Sequence, residues 1–183
     1  MDINLILIAA IVLIVIFVWS TYNSLATGKV RIKEALSGID VQLKRRVDLV
    51  PNLIETVKGY AKHEKGLLEN VTKARASLMK ATNPEQKAKS DNMLSDALKS
   101  LIAISESYPD LKASKNFLEL QEELSDIEAK IAYARQFYNS NVQGYNSTLA
   151  AFPGSLIGNT FGFKPEEFFA AKESEKEPVK VTF

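Results

Sequence analysis

The sequence of 183 residues contains no cysteine and only one histidine, His63. Without cysteine, disulfides, thiolate nucleophiles and cysteine-ligated metal sites are excluded. A carboxylate-bridged di-iron bundle in its standard form needs a histidine from each of two helices, so one histidine excludes it too. The sequence also lacks a GxSxG turn and a GxxxxGKS or GxxxxGKT loop. We therefore expect no catalytic residues, no metal ligands and no cofactor, and predict that the protein is not an enzyme.

An excess of charge of one sign is lacking as well. The chain has 23 basic and 22 acidic residues, which leaves a formal net charge of +1. Such a balance creates no global field to attract nucleic acid, so we expect no nucleic-acid partner. A hydrophobic content of 46% with 25% charged residues is typical of a folded protein. Charge is therefore expected to act only locally.

One long hydrophobic run is present, at the amino terminus. Every residue from Leu5 to Trp19 is apolar. With its flanks the run covers residues 3–22, enough to cross about 30 Å of hydrocarbon at about 1.5 Å per residue. Trp19 and Tyr22 come at its end, where amphipathic rings favour the headgroup layer. We therefore predict a membrane-spanning helix in contact with lipid, with residues 1–28 forming the anchor and a short linker.

A cleavable signal peptide is the alternative interpretation of this run. Ser24 and Ala26 form a small-x-small site, and cleavage there would release a secreted or periplasmic protein. The flank before the run contains no Lys or Arg, and the run is longer than a typical signal sequence, which favours a retained anchor.

Basic residues follow the run directly and predict its orientation. Lys29, Arg31 and Lys33 lie just after it, which places the amino terminus outside and the body of the protein in the cytoplasm. These three residues could contact anionic lipid headgroups, or they could belong to a solvated helix face of mixed charge.

Apolar residues recur at helical spacing through the body of the chain, over residues 32–78, 83–109 and about 112–151. Pro51 interrupts the first segment, which we interpret as one bent helix, with two helices broken there as the second choice. Asn83, Pro84 and Glu85 have the form of a helix start. The predicted fold is all-α, an amino-terminal transmembrane helix followed by an antiparallel bundle over residues 29–170.

A stripe of Tyr and Asn marks the third helix. Tyr138, Tyr145 and Phe152 are spaced by seven residues and share one helix face, with Asn139 and Asn146 on the stripe beside it. We interpret the stripe as a polar network that fixes helix register and docks the segment that follows, with a partner-binding surface as the alternative. Similarly, Asn52 is expected to bond a carbonyl group freed by Pro51.

The segment over residues 152–169 is rich in Gly and Phe and too broken for a long helix. We expect a loop that buries its aromatic rings against the end of the bundle, with a short helix beginning at Pro165 that carries Phe168 and Phe169. Residues 171–183 are predicted to be a flexible tail. Its last residues, Val181 to Phe183, have the apolar spacing of a tail ligand for a groove that pairs with an extended strand.

Several separated motifs together resemble the LemA family of bacterial proteins. They are RVDLVPNL at 46–53, ETVKGYA at 55–61, ARQFYN at 134–139, YN at 145–146, FP at 152–153, GF at 162–163 and FF at 168–169. The resemblance implies a membrane-anchored and mainly helical cytoplasmic domain for which no enzymatic activity is established.

These observations together predict a non-enzymatic scaffold or adaptor at the bacterial inner membrane. Its partner would be an unidentified membrane or cytoplasmic protein. The alternative is a structural protein that self-assembles to coat or remodel the membrane, and a homo-oligomer is compatible with both hypotheses.

Overall fold

The computed structural model describes residues 3–169, and all the regular secondary structure in that range is helical, which confirms the all-α prediction. The elements are α1 (Ile3–Tyr60), α2 (Lys65–Lys80), α3 (Pro84–Ala103), a 3-10 turn (Ile104–Ser107), α4 (Pro109–Lys112), α5 (Lys115–Ala150) and α6 (Gly154–Phe161). The described chain divides into two compact units. Unit 1 comprises residues 3–37 and 136–168, and unit 2 comprises residues 38–135 and Phe169.

Helix α1 contains the predicted membrane span. An 18-residue window within it has a mean hydropathy of 2.9 and is not buried at all. The helix continues through residues 23–28, where we expected a linker, because no proline precedes Pro51 and nothing else stops it. The anchor and the first bundle helix are therefore one element.

Helix α1 passes through Pro51 without a break and ends at Tyr60. The alternative of two helices broken at the proline is therefore wrong. The predicted continuation to residue 78 is wrong too, because the chain turns at residues 61–64 before α2 begins. The apolar pattern concealed this turn, since the step from Ala61 to Leu68 is seven residues and also fits a continuous helix. His63 is exposed in the turn.

In unit 2, α2 and α3 form an antiparallel hairpin. Asn83 caps α3 as predicted, accepting a hydrogen bond from the backbone N–H of Gln86 at 2.8 Å, and Pro84 occupies the first turn. Across the hairpin, the hydroxyls of Ser77 and Ser90 are 2.9 Å apart. The helix ends at Ala103, earlier than the predicted stop at Pro109, and the 3-10 turn and α4 fill the interval.

In unit 1, the buried face of α5 ends sooner than the sevenfold spacing predicts. Tyr138 and Tyr145 are buried, but Phe152 is 79% exposed, because α5 has ended at Ala150 and the chain has turned away. Residues 163–169 contain no helix, so the helix predicted from Pro165 is wrong. Of the phenylalanines expected to be buried in this region, Phe169 is buried, Phe163 is half-buried, and Phe152, Phe161 and Phe168 are exposed.

Candidate functional site

In unit 1, side chains of α5 hold an irregular segment, residues 163–168, which we call the strap. The hydroxyl of Tyr138 donates to the backbone carbonyl of Glu167 at 2.9 Å. The hydroxyl of Tyr145 donates to the backbone carbonyl of Lys164, also at 2.9 Å. The two bonds satisfy carbonyl groups that have no helical partner in this segment.

Asn146 adds a reciprocal pair of hydrogen bonds to the same strap. Its amide nitrogen donates to the carbonyl of Glu166 at 2.9 Å, and its amide oxygen accepts from the N–H of Glu166 at 2.9 Å. A residue in a neighbouring β-strand exchanges hydrogen bonds in this way. The side chain therefore takes the place of a missing strand and keeps the strap extended.

The environment of the two tyrosines keeps their hydroxyls protonated. Burial raises the pKa of Tyr138 above its ordinary value of 10.0, and the negative charges of Glu166 and Glu167 raise it further. Burial also raises the pKa of Tyr145, with a smaller contribution from Glu166. Both hydroxyls therefore stay protonated, and able to donate, up to a higher pH than an ordinary tyrosine.

The structure thus brings together three of the four α5 residues singled out in the sequence, Tyr138, Tyr145 and Asn146. Asn139 is half-buried beside Tyr138 on the same helix. Because both tyrosine hydroxyls are directed into the strap, the geometry favours the docking network over a partner-binding surface. The partner-binding interpretation stays a prediction.

The expected role of Asn52 is wrong, because another residue fills it. Pro51 has no N–H, so the carbonyl of Val47, four residues earlier, loses its helical partner. The Nε of Arg75 on α2 donates to that carbonyl at 2.9 Å. Asn52 is exposed, and its side chain forms no hydrogen bond with the described residues. Arg75 therefore allows α1 to continue through the proline.

In unit 2, three helices meet at a buried charged cluster. Arg46 on α1 donates from Nη1 to Oδ1 of Asp91 on α3 at 2.8 Å. Arg135 on α5 donates from Nη2 to the other carboxylate oxygen at 2.5 Å. The side chain of Arg46 is 2% exposed and that of Asp91 is 1% exposed. Charge-assisted hydrogen bonds of this kind are among the strongest in proteins.

Further groups complete the surroundings of the two arginines. Nη2 of Arg46 lies 3.8 Å from a carboxylate oxygen of Glu128, and Nη2 of Arg135 donates to Asn92 at 3.2 Å. The guanidinium of Arg135 also lies 5.0 Å from the ring centre of Phe169. A cavity of about 80 Å³ adjoins the cluster. Two arginines therefore face two carboxylates, which balances the formal charge.

The charged cluster holds three helices together. Both oxygens of Asp91 accept hydrogen bonds from arginine side chains. The carboxylate is thereby occupied by helix-joining bonds. Within residues 3–169, no group of three or more His, Asp or Glu residues is arranged to hold a metal ion.

The cluster was not predicted from the sequence, although a signal was present. Arg46 is spaced three residues from buried Leu43 and four from buried Val50. Arg135 is likewise four residues after Ile131 and three before Tyr138, both of which are buried. An ionisable residue at an apolar position of an amphipathic helix indicates a buried, paired charge.

A groove of about 300 Å³ lies on unit 2, formed by α1, the end of α2 and the start of α3. Its lining residues are Asp40, Leu43, Lys44, Val47, Asp48, Leu78, Met79, Ala81 and Lys87. An ion pair of 2.6 Å between Lys87 and Asp40 lies at one side, and Met79 is exposed. Apolar lining residues together with several charged ones are typical of a small docking site.

The basic residues after the span are on the surface of unit 1. Lys29, Arg31 and Lys33 are all exposed. The ammonium group of Lys29 lies 3.4 Å from a carboxylate oxygen of Glu166 in the strap. The candidate tail ligand, Val181 and Phe183, lies outside the described residues.

Comparisons with known proteins agree on one family. A model described as the LemA family matches residues 35–183. Magnetosome protein MamQ of Magnetospirillum gryphiswaldense is 23% identical over 184 residues, covering 86% of this chain and 68% of its own length. Magnetosome protein MamQ 2 of Paramagnetospirillum magneticum matches with the same identity and coverage. Protein LemA of Metamycoplasma hominis is 27% identical over 164 residues, covering 87% of this chain and 74% of its own.

Proposed function

Because the chain belongs to the LemA family, we propose that it is a non-enzymatic, single-pass protein of the bacterial inner membrane. In this proposal the bundle acts as a scaffold or adaptor for a protein partner. The named relatives include magnetosome proteins, and a role at a membrane is compatible with that similarity.

The continuity of α1 carries the proposal. One helix contains both an apolar window without any buried residue and buried bundle residues such as Ile39 and Val57. Apolar surface left in water costs about 25 cal/mol per Å², so a run this long and this exposed requires another apolar environment. A lipid bilayer provides it, and the helix then tethers the bundle to the membrane.

The orientation in the proposal follows from the exposed cations. Lys29, Arg31 and Lys33 directly follow the apolar run, and all three are exposed. Cytoplasmic flanks are enriched in such residues, so the bundle is assigned to the cytoplasm. Mature protein that still begins with Met1 would support the retained anchor. A mature amino terminus close to Ser24 would support cleavage instead.

Two surfaces are assigned to partner binding. The first is the groove on unit 2, where the exposed Met79 offers a flexible apolar contact of the kind used at adaptable interfaces. The second is the tail, whose Val181 and Phe183 suit a groove that reads extended strands and a terminal carboxylate.

Co-purification of the full chain from detergent-solubilised membranes tests the proposal, with native mass and bound proteins as the readouts. Met79→Glu disrupts the groove, and Met93→Glu is the matched control because Met93 is also exposed but does not line the groove. A chain without residues 181–183 tests the tail, with Thr182→Ala as its control. We expect one specific protein to be lost with Met79→Glu or with the truncation and to be retained with both controls.

The same experiment distinguishes the alternative, a structural protein that self-assembles at the membrane. That hypothesis predicts a large homo-oligomer of unchanged native mass in every variant, with no other protein bound. Such a result would contradict the adaptor proposal.

A further inference from the structure

Helix α6 in unit 1 exposes large apolar side chains. Phe152, just before the helix, is 79% exposed, Leu156 is 62% exposed and Phe161 is 54% exposed. By contrast, Ile157 is buried. The helix is therefore packed within unit 1 through Ile157, whereas Leu156 and Phe161, which lie on different sides of the helix, each stay more than half exposed.

Close packing fixes which face of α6 is outward. A Cβ atom at Gly154 would overlap the carbonyl oxygen of Thr148, and one at Gly158 would overlap Cδ1 of Leu149. Only glycine lets the backbone of α6 approach the end of α5 this closely. The exposure of Leu156 therefore follows from the packing of the helix.

The end of α6 lies beside the apolar run of α1. The rings of Phe161 and Tyr22 meet edge to face, with centroids 5.1 Å apart. Together they border a groove of about 390 Å³ whose lining residues are all apolar or aromatic: Ile14, Val15, Val18, Trp19, Tyr22 and Phe161. At 1.5 Å per residue, Ile14 lies about 7 Å further along α1 than Trp19, towards the middle of the run. Phe161 is therefore beside residues assigned to the bilayer.

The charge distribution agrees with a position at the membrane surface. The sequence has no charged residue from Gly144 to Phe163. The next residue, Lys164, is exposed, as are Arg31 and Lys33 on α1, while the exposed Lys29 is paired with Glu166. An uncharged stretch followed by exposed cations suits the boundary between acyl chains and anionic headgroups.

We propose that α6 and Phe152 form an interfacial element that inserts beside α1 into the bilayer that α1 spans. Its partner is the phospholipid at the boundary between headgroups and acyl chains. There Phe152, Leu156 and Phe161 are buried by about 5–10 Å, as in other interfacial helices. This inference rests on the proposed membrane anchoring and adds a second membrane contact to it.

Fluorescence quenching by brominated lipid tests the inference on the full chain in vesicles of phosphatidylcholine and phosphatidylglycerol. The phosphatidylcholine is brominated near the headgroup end of its acyl chains. Trp19 is the only tryptophan and reports the span in the unaltered protein. Leu156→Trp combined with Trp19→Phe reports α6. Gln143→Trp combined with Trp19→Phe is the control, because Gln143 is exposed on α5 away from the apolar face.

We expect the tryptophan of Leu156→Trp to be quenched to an extent comparable with Trp19 and severalfold more than that of Gln143→Trp. Equal weak quenching in the two variants, with Trp19 still quenched, would overturn the inference and leave the anchor intact. An unquenched Trp19 would instead overturn the proposed anchoring. A tryptophan at residue 156 that is shielded from both lipid and aqueous iodide would indicate cover by a second copy of the chain, which also overturns the inference.

Discussion

The polar side chains on the helices of the two units form different kinds of hydrogen bonds. In unit 1, neutral side chains such as Tyr145 and Asn146 bond the backbone of the strap. In unit 2, the buried charges of Arg46, Asp91 and Arg135 bond one another across three helices. The first arrangement holds an irregular segment of chain, and the second joins regular elements that have already satisfied their own backbones.

Amide and carboxylate side chains suit these two arrangements for different reasons. An amide can donate and accept at once, so Asn146 can pair with both backbone groups of Glu166. A buried carboxylate only accepts and needs positive partners, which Arg46 and Arg135 provide to Asp91. Removing one member should therefore cost more in the charged cluster than in the strap network.

The largest expected effect is that of Asp91→Ala. It leaves two arginines with Glu128 as their one nearby carboxylate among the described residues, and removing one partner of a buried ion pair typically costs about 3–5 kcal/mol of unfolding free energy. Urea unfolding of the full chain in detergent, followed by circular dichroism, measures the loss. Asp126→Ala is the control, because Asp126 forms an exposed ion pair with Lys130 on the same helix and should cost less than about 1 kcal/mol. Equal effects in the two variants would contradict the cluster's structural role.

A smaller effect is expected for Asn146→Ala. The change leaves the N–H and carbonyl of Glu166 unpaired, at a cost of about 1–3 kcal/mol. Because the damage is local, hydrogen exchange at the amide of Glu166 should accelerate. The matched control is Asn141→Ala, which loses only a bond to the carbonyl of Phe137 in the same helix. Slow exchange that persists in Asn146→Ala would show that the strap is held by other contacts.

Arg75→Ala tests the hydrogen bond that replaces the one lost at Pro51. The change should lower the unfolding free energy by about 1–2 kcal/mol, because it leaves the carbonyl of Val47 unpaired. In a Pro51→Ala background, the new N–H at residue 51 can bond the same carbonyl, so the cost of Arg75→Ala should fall. A double-mutant cycle of urea unfolding measures the difference. Costs that are the same in both backgrounds would rule out the coupling.

The smallest effect is the pH dependence of unit 1. The pKa values of Tyr138 and Tyr145 are raised in the folded chain, so below pH 10.0 both states are protonated and stability is complete. Above that pH the unfolded tyrosines lose protons first, and stability falls as pH rises towards the folded pKa values. Replacing both residues with Phe should flatten this fall, whereas Tyr133→Phe, an exposed control, should not. An unchanged slope in the double variant would contradict this contribution.

Local signals in the sequence predicted local structure well. Asn83 and Pro84 start α3 as expected, because a cap and a first-turn proline act within one turn of helix. The same kind of signal was misleading at Pro165. There the strap's carbonyl groups bond to side chains 19 to 29 residues away, which no local rule can anticipate.

The candidate site was predictable in the same uneven way. The spacing of Tyr138 and Tyr145 identified one buried face of α5, because helical periodicity depends only on the chain itself. That periodicity could not reveal that Arg46 pairs with Asp91, since the two positions are 45 residues apart. For the same reason it assigned the carbonyl freed by Pro51 to neighbouring Asn52 in place of distant Arg75.

The sequence alone determined the apolar span, the all-α class and the helix faces that become buried. Each of these follows from hydrophobicity and from the 3.6-residue period of a helix, which are properties of neighbouring residues. Tertiary structure alone decided the pairing of Asp91 with two arginines, the docking of the strap and the outward face of α6. Those outcomes depend on which polar groups lose water together and which backbones can approach closely, and both require the helices to be packed.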